Sequence, residues 1–154
     1  MKKEKYIFSI IIPIFVNENN HEVLLKNVKH NINLLDENFE INIIDDSSPN
    51  HLYKLIKELD DLAHVNVYRT EMNSGPGFAR NVGIEHSNGR FLIFLDSDDI
   101  LKKDFVNLTI ELSKNFENVN FFPNSTYFLP KKFPKIRNLS LEATIKPYTL
   151  TADE

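Results

Sequence analysis

The chain is predicted to fold as an α/β domain built on a mostly parallel sheet with helices on both faces. Two observations carry that expectation. Short continuous apolar runs alternate with segments whose apolar residues recur at helical spacing, from the start to about residue 122. Polar or acidic clusters also follow three of those runs, at the carboxyl ends where ligands bind in open parallel sheets.

The elements follow in order. Ile7 to Ile12 reads IFSIII, apolar on both faces, as suits a strand covered on both sides. Lys2, Lys3 and Lys5 before the apolar run Tyr6 to Val16 imitate a secretory signal. Pro13 interrupts that run, however, and Asn17, Glu18, Asn19 and Asn20 follow it without a small-residue cleavage site. The run is also too short to cross a bilayer as a helix, so a buried first strand is expected. Leu24, Leu25, Val28, Ile32 and Leu35 share one helical face. A second strand, Ile41 to Ile44, stops at Asp45 and Asp46. Ser48 then Pro49 reads as an N-cap followed by a first-turn proline, opening a helix carried by Leu52, Leu55, Ile56, Leu59 and Leu62.

Val65 to Tyr68 is a short third strand. Gly75 to Ser87 reads as a helix opened by glycines, and Phe91 to Leu95, FLIFL, as a strand that ends at Asp96. A helix with Phe105, Val106, Leu108, Thr109 and Leu112 follows, then an apolar run from Val119 to Phe122. Beyond it Pro123, Pro130, Pro134 and Pro147 break any long periodicity. Residues 1–122 are therefore expected to form one α/β region. Residues 123–154 are expected to be an irregular extension or the start of a missing acceptor half.

Composition narrows the function. The 154 residues suit one ordinary domain, and 42% hydrophobic content is enough for a core. With 18 Lys and Arg against 22 Asp and Glu, the net charge of −4 gives no support for a nucleic-acid surface. Cysteine is absent, which excludes disulfides and thiolate metal sites and is compatible with a reducing cytoplasm. The five histidines lack zinc-like spacing.

The chemistry should sit in three clusters that the fold would bring to one edge: Asn17 and Glu18, Asp45 to Ser48, and Asp96 to Asp99. Asp96 and Asp98, one residue apart, can converge on a hard cation, and magnesium takes one or two carboxylates with phosphate oxygens and water completing its shell. A solvated acidic turn capping the next helix would look the same. Asp45 and Asp46 can accept from a base N–H or a ribose hydroxyl, or only make an Asx-turn. Gly75 and Gly77 permit close backbone approach to a ligand or serve only a turn. Arg80 can pair with the acidic cluster, reach a phosphate, or lie on the surface.

Taken together, three ordered blocks resemble family 2 glycosyltransferases, which have a GT-A (Rossmann-like) fold. SIIIPIFVNEN, Ser9 to Asn19, is similar to the family's opening strand. IIDDSSPN, Ile43 to Asn50, is similar to its strand-two block. NSGPGFARNVGIEHSNGRFLIFLDSDD, Asn73 to Asp99, is the most specific match. The likeness covers about residues 6 to 115. It implies an inverting transfer from a nucleotide-diphosphate donor, a UDP-sugar favoured, with manganese or magnesium. The acceptor would be a glycan or lipid-linked group in cell-surface polysaccharide synthesis, in the cytoplasm or at the inner face of the membrane.

On the same resemblance Asp45 contacts the nucleobase with Asp46 beside it, Asp96 lies near the ribose and Asp98 holds the metal. Arg80 lies near the nucleotide, Pro13 and Phe15 line the pocket, and Asn17 and Glu18 belong to the same first loop. Two departures stand out. Ser47 occupies a position where glycine is usual, and nothing after Asp99 matches the block that carries the catalytic carboxylate. The general base is therefore unknown, a truncated or split domain is expected, and this chain alone is not expected to transfer sugar efficiently. The alternative is a non-catalytic nucleotide-binding module of a larger assembly. A phosphoacceptor receiver domain ranks below both, because Tyr68 and Arg69, not a lone aspartate, end the third strand.

Overall fold

The computed structural model describes residues 6–115. Its elements are β1 (Tyr6–Ile14), α1 (His21–Leu34), β2 (Phe39–Asp45), α2 (Asn50–Lys57) continued by a 3-10 turn (Glu58–Asp61), β3 (Val65–Arg69), α3 (Pro76–Glu85), β4 (Gly89–Phe94) and α4 (Lys103–Asn115). The strands form one parallel sheet in the order β3-β2-β1-β4. Each of the four apolar runs is a strand, and the α/β class is the expected one. The run Val119 to Phe122 and the extension 123–154 lie outside the described residues.

Helices cover both faces, which explains the apolar character of β1. On one face Leu25, Val28 and Ile32 of α1, Leu52 and Ile56 of α2 and Val106 of α4 join Phe8, Ile10, Ile12, Ile41 and Ile43 in the main core. Each fully buried side chain of this kind contributes about 1.5–3 kcal/mol. On the other face α3 lies on β1 and β2, with Ala79 packed among Ile11 and Ile44. Gly83 makes that contact close: a Cβ there would fall 2.3 Å from Ile11 Cγ2. Among the described residues no helix is long and apolar enough to cross a membrane.

Four details depart from the sequence reading. First, β1 continues through Pro13 to Ile14. Ile11 accepts from the Leu95 amide on the β4 side and Ile14 accepts from the Asp46 amide on the β2 side. By alternation the missing Pro13 N–H faces the β4 side, where β4 has already ended, so no ladder bond is lost.

Second, Ser48 is not a side-chain N-cap. Pro49 holds the cap position without a cap bond, and the Ser48 hydroxyl is used elsewhere. Third, Leu62 lies past the 3-10 turn and is exposed. Fourth, the α3 face of the sheet is not uniformly apolar. Ser9, Glu40 and Asn42 are buried there in a polar network. Phe94, at the end of β4, is exposed, because α3 packs on β1 and β2.

Candidate functional site

The sheet order creates a split at the carboxyl edge. After β3 the chain crosses to the far side of β1 and forms β4. Pairing of β1 with β4 ends at Ile11 and Phe94, whereas pairing with β2 runs on to Ile14 and Asp45. Past that point the two neighbours of β1 diverge, which is the topological switch where α/β sheets bind ligands. A cleft of about 280 Å³ opens there. Its walls are Pro13, Ile14 and Phe15 from the end of β1, Asp46 from β2, Pro76 and Arg80 from α3, and Asp96, Ser97 and Asp98 after β4. A larger open groove of about 640 Å³ separates α1 from α2, but none of the strand-end carboxylates lines it.

The two aspartates after β2 take different places. Asp46 lines the cleft, yet its oxygens are already engaged. Oδ1 accepts from the Thr70 hydroxyl and the Ser74 amide, both at 3.0 Å, and Oδ2 accepts from the Gly75 amide at 2.7 Å. The carboxylate thereby fixes the loop that leads into α3 and its cleft residues Pro76 and Arg80. Asp45 was expected to line the same cleft. Its side chain is instead fully buried and absent from the lining.

Asp45 Oδ1 accepts from the Ser48 amide at 3.2 Å and from the Ser48 hydroxyl. That hydroxyl also accepts from the Val16 amide at 2.9 Å, which ties down the end of β1. Asp45 Oδ2 has no hydrogen-bond partner and lies 3.5 Å from Arg69 Nε. Burial pushes this carboxyl above the usual carboxylate range, against the opposing pull of Ser48 and Arg69.

The third cluster faces the cleft from the loop after β4. Arg80 reaches across from α3 to pair with Asp96 Oδ1. Asp98 lines the cleft, and among the described residues its carboxylate meets no hydrogen-bond or ion-pair partner. Partial desolvation, then the charges of Asp98 and Asp96, push the neighbouring Asp99 carboxyl upward. The loop backbone is held from behind by two asparagines one turn apart on α1. Asn27 donates to the Asp98 carbonyl at 3.1 Å and Asn31 to the Asp99 carbonyl at 2.9 Å. The Leu101 amide donates to Asn31 Oδ1 at 2.8 Å.

Asn17 and Glu18 do not line the cleft. The Asn17 carbonyl accepts from the Asn20 and His21 amides in the turn that starts α1, and Glu18 pairs with His51 of α2 on the exposed side. Sequence reasoning missed Asn27, Asn31, Arg69 and Thr70. The available signals were two asparagines at helical spacing beside a core stripe, and a polar pair at a strand end.

Ser47 adopts φ +62°, the left-handed conformation that glycine accepts without strain. Ser47→Gly is expected to stabilise the fold by about 0.5–1 kcal/mol, since relief of the strained conformation exceeds the added unfolded-state freedom. A melting temperature that falls in Ser47→Gly would contradict this account.

The comparisons with known proteins bear on the fold and the family. An uncharacterized glycosyltransferase of Rickettsia bellii (strain RML369-C) is 33% identical over 121 residues, 77% of this chain and 16% of that protein. The minor teichoic acid biosynthesis protein GgaA of Bacillus subtilis (strain 168) is 31% identical over 129 residues, 82% of this chain and 29% of that one. The crystal structure of S. aureus TarS 1-349 in complex with UDP-GlcNAc superposes with a TM-score of 0.60 at 26% identity, over 70% of this chain and 31% of that one. The chain thus spans less than a third of the length of these relatives, and the parallel sheet with its helices is that of GT-A fold glycosyltransferases. Residues 9–152 match the model of glycosyl transferase family 2, and the chain belongs to that family.

Proposed function

We propose that this chain is the donor-binding part of an inverting, nucleotide-sugar-dependent glycosyltransferase, with a UDP-sugar as donor and Mn2+ or Mg2+ as the cation. The observation that carries the reading is the cleft at the β1/β4 split, where Arg80, Asp96 and Asp98 converge in a member of this family. Asp98 with Asp96 fits a divalent cation, because hard oxygen donors stand unpaired or only singly paired beside a crowded Asp99. Such a cation would offset repulsion between a diphosphate and these carboxylates. Arg80 is then free to exchange Asp96 for a phosphate oxygen. Pro13 and Phe15 would flank the nucleotide. The solved TarS complex with UDP-GlcNAc supports uridine as the base. GgaA, named for teichoic acid biosynthesis, supports a role in cell-surface polysaccharide synthesis, and a glycan or lipid-linked acceptor at the cytoplasmic side completes the proposal.

The test is calorimetry of UDP binding with Mn2+ and with a chelator. Mn2+ is expected to raise UDP affinity by about 5–150-fold, the usual range for coupled ligands. Asp98→Ala is expected to remove most of that gain. Equal UDP affinity with and without metal would sink the metal role. Metal-assisted UDP binding by a full-length product that transfers no sugar would favour a nucleotide-binding module instead.

A further inference from the structure

Helix α1 carries two asparagines that the helix itself does not call for. Asparagine is a poor helix former, and a buried carboxamide is costly unless its ends are hydrogen-bonded. Asn31 is nevertheless 0% exposed. Its partners lie in the loop after β4, 68 and 70 residues away: Nδ2 donates to the Asp99 carbonyl at 2.9 Å, and Oδ1 accepts from the Leu101 amide at 2.8 Å. Asn27, one turn earlier and half-buried, donates to the Asp98 carbonyl at 3.1 Å. Within the loop the Asp99 amide donates to the Asp96 carbonyl at 3.0 Å and closes a turn. The platform behind these bonds is firm, since Leu25, Val28 and Ile32 of α1 and Leu101 itself belong to the main core.

Three features tie these bonds to the carboxylates in front of them. All three bonds from α1 engage backbone atoms of the loop, so the carboxylates of Asp96 and Asp98 stay available to the cleft they line. Asp96, Asp98 and Asp99 put three like charges into four residues, and their repulsion favours a spread loop unless the backbone is pinned. The groups that pin it are neutral. A lysine or arginine could also reach a carbonyl, but its charge would pair with a neighbouring carboxylate and repel a divalent cation.

We propose that Asn27 and Asn31 are the positioning residues of the loop that carries Asp96 and Asp98: by pinning its backbone to α1 they set the spread of the two carboxylates, and with it the affinity for a divalent cation. This rests on the reading of the cleft as a metal-assisted nucleotide-sugar site.

The test is calorimetry on the whole chain in the wild type, Asn31→Ala, Asn27→Ala and Asn27→Gln. Two quantities are measured: Mn2+ affinity at saturating UDP, and UDP affinity with a chelator present. Mn2+ affinity is expected to fall about tenfold in Asn31→Ala, the lower end of the range for groups that orient metal ligands. It should fall by less in Asn27→Ala, which gives up one bond instead of two. Asn27→Gln keeps an amide donor at the half-buried place and is expected to recover what Asn27→Ala loses. A merely structural role would lower the UDP affinity under chelator by the same factor as the Mn2+ affinity.

Asn27→Ala with Asn27→Gln decides the matter should Asn31→Ala fail to fold. Unchanged Mn2+ affinity in the folded alanine variants would overturn the proposal, and so would an equal loss in both measurements. A wild-type chain that binds UDP with no contribution from Mn2+ overturns the metal reading of the cleft, and the proposal with it. Mn2+-assisted binding that survives intact in the variants overturns only the role of the asparagines.

Discussion

Replacing Glu40 with alanine is expected to destabilise the fold by about 3–5 kcal/mol, the largest effect of any single change considered for this chain. Glu40 is 1% exposed on β2. Its Oε1 accepts from the Ser9 hydroxyl at 2.6 Å, from Asn42 Nδ2 at 3.5 Å and from the Asn88 amide, and its Oε2 accepts from Asn88 Nδ2 at 3.3 Å. The Ser9 oxygen in turn accepts from the Gly89 amide at 2.7 Å, so one carboxylate joins β1, β2 and the start of β4. Gly89 has no alternative there, since a Cβ would fall 2.5 Å from the Phe8 carbonyl carbon.

Truncation leaves several buried donors without an acceptor and a void beside them. Glu40→Gln keeps the shape and one acceptor oxygen, so its cost should be about 1–2 kcal/mol. Urea denaturation of the two variants measures the contrast. An alanine variant within about 1 kcal/mol of wild type would show that water replaces the carboxylate, and the network would lose its structural meaning.

The second large effect is local. Asp46→Asn is expected to cost about 2–3 kcal/mol and to loosen the loop from Thr70 to Gly75. Asp46 receives one hydroxyl and two amide donors on its two oxygens, and an asparagine must turn its own NH₂ toward one of them. Hydrogen exchange provides the readout: the Ser74 and Gly75 amides should lose protection while the β1–β2 ladder keeps it. UDP affinity should fall with them, because the same loop sets Pro76 and Arg80 in the cleft wall. Full protection at both amides in Asp46→Asn would refute the bracing role. It would return Asp46 to the simpler part of a side chain that only faces the ligand.

The sequence by itself determined the frame. Ile10, Ile12, Ile41 and Ile43 could be assigned to a core because apolar runs of strand length report burial directly. The parallel order then brings the residues after β1, β2 and β4 to one edge. Asp46, Asp96 and Asp98 were legible as neighbours for that reason, and Arg80, Pro13 and Phe15 through the family resemblance; all six line one cleft. What the pattern could not supply was depth and partnership. Asp45 and Asp46 are adjacent and chemically alike. Yet the ladder buries the first completely, and the second turns toward the cleft only because Thr70, Ser74 and Gly75 come to meet it.

Ser9 and Asn42 sit inside runs read as apolar strands, with Glu40 just before the second, and they become a network only when Asn88 arrives from 48 residues away. Asn27 and Asn31 belong to a helix stripe until the loop after β4 lies on them. The period of a strand or helix fixes which face a side chain occupies, and it is a local property. Whether a polar group on that face is satisfied, orphaned or braced depends on donors brought in by distant segments, and only the tertiary structure decides that.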